Sequence, residues 1–250
     1  MSFKATTELK MKKAVSFNPC MLNEQGLNLQ AVFNIKELPE EIIKQLEAEC
    51  STLKNCQQLI LIGHGGQSLW QSVQPNLLTS ANPIDEHSVE TVNKWFTANY
   101  SDNNSKIIYP DKHSVSSQAL DLQTLGSLAG WHHTSPFMVG INREWGPWFA
   151  YRVALLTDTQ FNISQASKSS SPCSTCESKV CIDHCPANAC KSGSLNLETC
   201  ISYRKSENSQ CRETCLARVS CPVASEHRYS KEQIKYHYAV SMKTIEAYNY

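Results

Sequence analysis

The chain has 250 residues, with 23 lysines and arginines against 23 aspartates and glutamates, and a formal net charge of zero. That balance gives no global electrostatic case for nucleic acid or an anionic membrane surface, though it leaves a tRNA contact open. At 41% hydrophobic and 18% charged residues the composition is that of an ordinary soluble protein, long enough for one large domain or two modest ones, and no apolar run approaches the roughly 18 residues of a membrane span.

The opening segment, Met1 to Lys10, lacks an apolar h-region, so no secretory signal is expected and the cytoplasm is the expected compartment. Residues before about Leu27 show no period and read as an irregular lead-in. Leu27 to Ile35 alternates as a strand, and Leu38-Pro39-Glu40-Glu41 opens a helix to about Cys50, with proline and acids where a helix dipole favours them. Gln58 to Ile62 is a short apolar strand, and Gly63-His64-Gly65-Gly66 turns it into a helix from Gln67. Such a turn either lets backbone amides approach a ligand or is a simple strand–helix connection. Pro83 to His87 opens a helix through Val89, Val92, Trp95 and Phe96, residues at core-facing helical spacing.

Lys106 to Tyr109 reads as a strand, followed by the polar turn Pro110-Asp111-Lys112-His113. Ser117 to Ala129 is a predicted helix ending at Gly130. Phe137 to Ile141 and Trp148 to Leu156 are predicted strands, with Asn142 to Pro147 as the hairpin turn between them. Gln165 to Ser171 is a serine-rich linker. Tyr229 to Tyr250 is a terminal helix with Ile234, His237, Tyr238 and Met242 along one side.

Between linker and terminal helix, nine of the twelve cysteines crowd into one-fifth of the chain, and all of these but Cys190 share one spacing. They follow a C-x2-C-x4-C-x3-C-P pattern from Cys173 to Pro186, then Cys200, Cys211, Cys215 and Cys221-Pro222. Ferredoxin-type iron–sulfur clusters use a C-x2-C-x2-C-x3-C-P run whose fourth cysteine ligates the other cluster, and soft thiolates suit iron. That interleaving assigns Cys173, Cys176, Cys181 and Cys221 to one 4Fe–4S cluster and Cys185, Cys200, Cys211 and Cys215 to a second. Two structural zinc sites, a disulfide framework, or a single cluster with spare cysteines are the competing readings. Cys20, Cys50, Cys56 and Cys190 have no spacing partner and read as buried or free thiols, and His184 and His227 as supporting or surface residues.

Two further stretches carry a resemblance. Leu128-Ala129-Gly130-Trp131 with Val139 to Phe149 resembles the A-G-L-G-W…L-I-N-x-x-x-G-x-W-F segment of epoxyqueuosine reductases, and Cys200-Ile201-Ser202-Tyr203 matches their C-I-S-Y. Trp148-Phe149-Ala150-Tyr151-Arg152 is similar to the W-F-A-I-R of the cobalamin-processing CblC proteins, and Glu226 to Gln233 to their E-R-Y-S-E-E-Q. The resemblance implies a nitroreductase/CblC-like α+β sandwich with a ferredoxin-like two-cluster module, and a bound cobalamin whose cobalt the clusters reduce. It makes Gly130, Trp131, Trp148, Phe149, Arg152 and Arg228 candidate cofactor-binding residues. The V-D-S acid of the reductases is missing, so Asp111 or His113 is the candidate proton donor in its place, against the reading of a plain surface turn. The adjacent His132 and His133 read as a metal or cobalt ligand pair or as structural histidines, and Trp131, Trp145 and Trp148 as walls of a macrocycle site or as core.

The expected organisation is a CblC-like domain over residues 1–165, a cluster module over 166–225 and a terminal helix over 226–250 packing on the first domain. The expected function is reduction or processing of a corrinoid small molecule, fed by a low-potential electron donor. A ferredoxin-like electron carrier without corrinoid and a zinc-stabilised interaction protein are the alternatives.

Overall fold

The computed structural model describes residues 16–77, 80–110, 119–166 and 169–247. The elements in chain order begin with α1 (Cys20–Glu24), β1 (Leu29–Asn34), α2 (Glu40–Glu49), β2 (Gln58–Gly65), α3 (Ser68–Val73), α4 (Pro83–Asn99) and β3 (Ser105–Tyr109). They continue with α5 (Leu122–Leu128), β4 (His133–Thr134), β5 (Gly140–Ile141) and β6 (Phe149–Thr157). The cysteine segment holds α6 (Val180–Asp183), α7 (Leu197–Lys205) and α8 (Leu216–Val219), and α9 (Lys231–Ala247) follows.

Four strands form an antiparallel sheet in the order β1-β2-β6-β3. β2 and β6 are central and apolar along most of their length, as strands covered on both faces must be. On one face Val32, Ile60, Ile62, Val153 and Leu155 meet α3 and α4 through Leu69, Trp70, Val92 and Trp95. On the other, Phe33, Leu59, Leu61, Ala154 and Leu156 meet α2 and α5 through Ile42, Leu46 and Leu125. The architecture is therefore mixed α+β, helices on both faces of a small antiparallel sheet. Among the described residues no helix is long and apolar enough to cross a membrane.

The pairing of β6 corrects the hairpin read from the sequence. β6 pairs with β2 and β3, while the stretch before Asn142 turns back on β4, His133 opposite Ile141. Asn142 and Gly146 still form a bridge across the turn, but it closes no long hairpin. Phe137 leaves the sheet altogether and packs with Ile141, Cys181, Cys190 and Cys221. An apolar, β-prone run fits the interior of either body equally well, and here it serves the cysteine segment.

Two buried arginines anchor that segment, one to the turn before β6 and the other to α9. Arg218 donates through Nε and Nη2 to the Pro147 carbonyl at 3.2 and 2.6 Å, and its guanidinium lies 4.9 Å from the Trp148 ring centre and 5.1 Å from that of Tyr229. Arg204 donates to the carbonyls of Cys211 (3.1 Å) and Tyr238 (3.2 Å) and to Ser241 Oγ (3.0 Å), tying α7 to α9. Both arginines trade hydration for several charge-assisted bonds, the condition under which a buried cation is tolerated. α9 touches both bodies: Tyr236 lies against Trp70 of α3, while Met242 and Ile245 pack on Ile201 of α7.

Candidate functional site

The cysteines assemble into two sets. In the first, Cys181 interacts with Cys221, Cys173 and Cys176, and Cys221 with Cys173 and Cys176. In the second, Cys200 interacts with Cys215, Cys185 and Cys211, and Cys211 with Cys215 and Cys185. The α6–α8 contact brings these sets about, since α6 carries Cys181 and α8 is bracketed by Cys215 and Cys221. All twelve cysteines are free thiols. Among the described residues no three His, Cys, Asp or Glu side chains converge as a single metal ion requires.

The second set lines a cavity of about 350 Å³, walled otherwise by Phe137, Val139, Leu195, Ile201 and Ala217. A ninth cysteine joins it. Cys190, without a spacing partner in the sequence, lines the same cavity and interacts with Cys185. Burial, with neighbouring thiols adding to it, pushes Cys181 and Cys200 up to about 11 and Cys190 up to about 12. Metal-free, such thiols keep their protons at neutral pH, and ligation would displace them. Four sulfur donors per set on apolar walls, with Arg204 close to Cys200 and Cys211, suit a soft polynuclear core better than a hard oxygen-seeking cation. Tyr238 lines the same cavity and interacts with Cys215.

A second cavity, about 410 Å³, opens on the sheet side. Its lining includes Tyr109, His132, Phe149, Tyr151 and Arg152, together with Phe137, Met138 and Val139. Those last three residues also line the cysteine cavity. One loop thus separates the thiols from the pocket.

A bulge in β6 shapes the pocket's polar end. Ile62 faces Val153 and Gly63 faces Tyr151, which leaves Arg152 as the extra residue. Strict alternation would put Tyr151 on the face of Val153 and Leu155; the bulge moves it to that of Ala154 and Leu156, a common use of bulges beside sites. Gly63 permits this, because a Cβ there would stand 2.7 Å from the Ala150 carbonyl oxygen. Tyr151 Oη then shares a 2.9 Å hydrogen bond with His132 Nδ1. Burial raises the Tyr151 pKa and lowers that of His132. Arg152 is mostly buried, its Nη1 3.9 Å from Asp85 and its Nε bonded to His64.

Of the six candidate cofactor residues, Phe149 and Arg152 line this pocket. Trp148 does not: it is fully buried with Tyr229 and Ile234. Trp131 packs on the cluster beneath α2, Gly130 ends α5 with φ +75°, and Trp145 lies 4.4 Å from His227. The three tryptophans therefore build no wall here, and aromatic contact comes from Tyr109, Phe137, Phe149 and Tyr151. Arg228 sits elsewhere, 5.8 Å from the Trp148 ring and close enough to Cys221 to favour its thiolate. Asp111 and His113 lie outside the described residues. His132 and His133 diverge, the first into the pocket and the second toward Ser169 Oγ at 3.4 Å. The predicted glycine turn is strand as far as Gly65, and its amides are taken: Gly65 N donates to Asn28 Oδ1 and Gly66 N to the Trp148 carbonyl, both at 2.8 Å. His184 is exposed, its Nδ1 2.8 Å from the Val180 carbonyl, and Cys50 hydrogen-bonds Cys56.

Comparison with solved structures follows this geometry. Bacillus subtilis epoxyqueuosine reductase superposes with a TM-score of 0.50 at 13% identity, over 84% of this chain and 66% of that one. The Caenorhabditis elegans B12-trafficking protein CblC, a homologue of human MMACHC, superposes with a TM-score of 0.50 at 12% identity, over 88% of both chains. The chain shares its fold with both proteins. It spans about two thirds of the epoxyqueuosine reductase chains, between 64% and 68%. No protein-family model matches the sequence, and no curated protein is significantly similar to it.

Proposed function

We propose that the chain is a corrinoid-binding iron–sulfur reductase, with one 4Fe–4S cluster on each cysteine set and a cobalamin at the pocket formed by Phe149, Tyr151 and Arg152. The observation that carries the reading is the shared loop: Phe137, Met138 and Val139 line both the thiol cavity and the pocket. An electron carrier held by the second set would be separated from a pocket ligand by a single layer of side chains. The clusters would supply single electrons, and the chain supplies position, polarity and exclusion of water. Phe137 and Phe149 offer apolar surface, Arg152 a fixed positive charge, and the His132–Tyr151 pair an exchangeable proton at the pocket edge. At about 410 Å³ the pocket is near the lower end of the roughly 300–1,000 Å³ of small-molecule sites. It would grip one part of a macrocycle and leave the rest in solvent. The fold shared with a B12-trafficking protein supports this choice of ligand. A low-potential electron donor completes the scheme.

The test is anaerobic reconstitution with iron and sulfide, metal and sulfide analysis, then titration with cobalamin followed by absorbance. The reading expects about eight irons per chain, a change in the corrin bands on binding, and cobalt reduction when the clusters are reduced. Zinc in place of iron overturns it.

A ferredoxin-like carrier without corrinoid is the second reading. Met138 and Leu197, 49% and 46% exposed, stand on the lining of the thiol cavity and offer apolar surface to a protein partner. Full iron loading with no corrinoid binding decides for it.

A further inference from the structure

We propose that Cys190 is a fifth ligand-competent thiol of the second cysteine set, held beside Cys185 and able to take its place on iron. The proposal rests on the iron–sulfur reading above. A four-iron cube takes four thiolates, and the cavity of the second set presents five. Cys190 is the surplus one, yet it is the deepest in burial, 1% exposed, whereas Cys185 is half-buried.

The backbone explains how two positions five apart reach one cavity. After Pro186 the chain makes a tight turn, with Asn188 N donating to the Cys185 carbonyl at 2.9 Å and Asn188 itself in the left-handed region at φ +51°. The far side is held by Gly193 N on the Cys190 carbonyl (2.9 Å) and Asn196 N on the Ala189 carbonyl (2.8 Å). The turn thus brings the second thiol to the cavity that the first one lines. Cys190 also interacts with Cys215 and Cys200, two further members of the set. A cysteine that only filled space in the core would have no need of this company. In the exchange the Cys185 sulfur leaves iron and takes up a proton, while the Cys190 thiol loses its proton and forms the new iron–sulfur bond. No electrons are transferred.

The test compares reconstituted wild type with Cys185→Ala, Cys190→Ala, the double variant, and Cys181→Ala from the first set. The readouts are iron and sulfide content and the EPR spectrum of the dithionite-reduced protein. Each second-set single variant is expected to keep about eight irons, while the double variant and Cys181→Ala keep about four. Cys185→Ala should show shifted g values and Cys190→Ala the wild-type spectrum. Retention of about four irons also certifies that a variant has folded. Cys185→Ala falling to about four irons, or the double variant retaining eight, overturns the proposal alone. Wild type that takes up no iron overturns the underlying reading, and the proposal with it.

Discussion

Arg152 Nε donates to His64 Nδ1 at 3.0 Å, joining a pocket-lining guanidinium to a fully buried imidazole. An arginine has no acceptor and keeps its charge, so His64 must carry its proton on Nε2. From there it donates to Tyr229 Oη, also at 3.0 Å. Tyr229 lies 5.5 Å from Trp148, under the Arg218 guanidinium that anchors the cysteine segment. The pocket and the cysteine segment are thereby linked through side chains as well as through the Phe137–Val139 loop.

Arg152→Ala is expected to cost stability as well as ligand affinity, because it strands a buried ring nitrogen. The order of magnitude is about 1–3 kcal/mol. Arg152→Lys should not restore it, since an ammonium lacks the planar fork that meets His64 and the pocket together. Urea unfolding of the three proteins checks this.

Stability should fall in mild acid. Burial depresses His64 well below its ordinary range and His237 to about 3, with Arg152 adding to both. Each folded-state pKa lies below the unfolded value of about 6.5, so below that pH the unfolded chain binds protons that the folded chain refuses. The contribution is complete above pH 6.5 and declines as pH falls toward 3, at up to about 1.4 kcal/mol per unit for each histidine. Unfolding midpoints at pH 8, 7, 6 and 5 should drop progressively below 6.5, and His237→Gln should flatten the slope.

Gly126→Ala decides between two opposed effects. Helix propensity favours alanine by about 1 kcal/mol. The new Cβ, however, would run into the Tyr151 hydroxyl and approach its Cζ to 2.6 Å, and overpacking of that kind costs about 1–3 kcal/mol. The variant should be less stable than wild type, and Tyr151→Phe in the same chain should recover part of the loss. A double-mutant cycle measures the coupling; strict additivity would contradict the contact.

Trp148→Ala should lower stability by about 3–5 kcal/mol while leaving pocket affinity in the folded fraction unchanged, because the ring is wholly internal. Phe149→Ala, by contrast, should weaken pocket binding directly. Ligand titration beside urea unfolding separates the two. Loss of pocket affinity in a folded Trp148→Phe chain would contradict the placement of this ring.

Much of this was legible from local pattern. The strands β1, β2, β3 and β6, the long helix α4 and the terminal helix follow alternation or helical spacing, and both cysteine sets follow from the interleaved run. Features decided at long range were not. The apolar run at Phe137 reads as a strand because its partners, Cys181, Cys190 and Cys221, lie more than forty residues on in sequence. The bulge at Arg152 depends on Gly63, far upstream in the chain, and strict alternation conceals it. Cys190 falls outside the C-x2-C-x4-C-x3-C grammar and joins its set only through the turn at Asn188. The arginines Arg204 and Arg218 sit in plain view beside cysteines, but their carbonyl partners in Cys211, Tyr238 and Pro147 cannot be read from spacing.

The position of α9 bears on how the protein is built. It follows every cysteine in chain order, yet it supplies Tyr238 to Cys215 and covers Ile201. A ribosome therefore releases the whole second cysteine set before it releases the helix that lines its cavity. For the time needed to translate and dock that helix, the nascent chain holds its sulfur atoms in reach of assembly factors and of oxidants alike. The speed of synthesis across this stretch sets how long that window stays open.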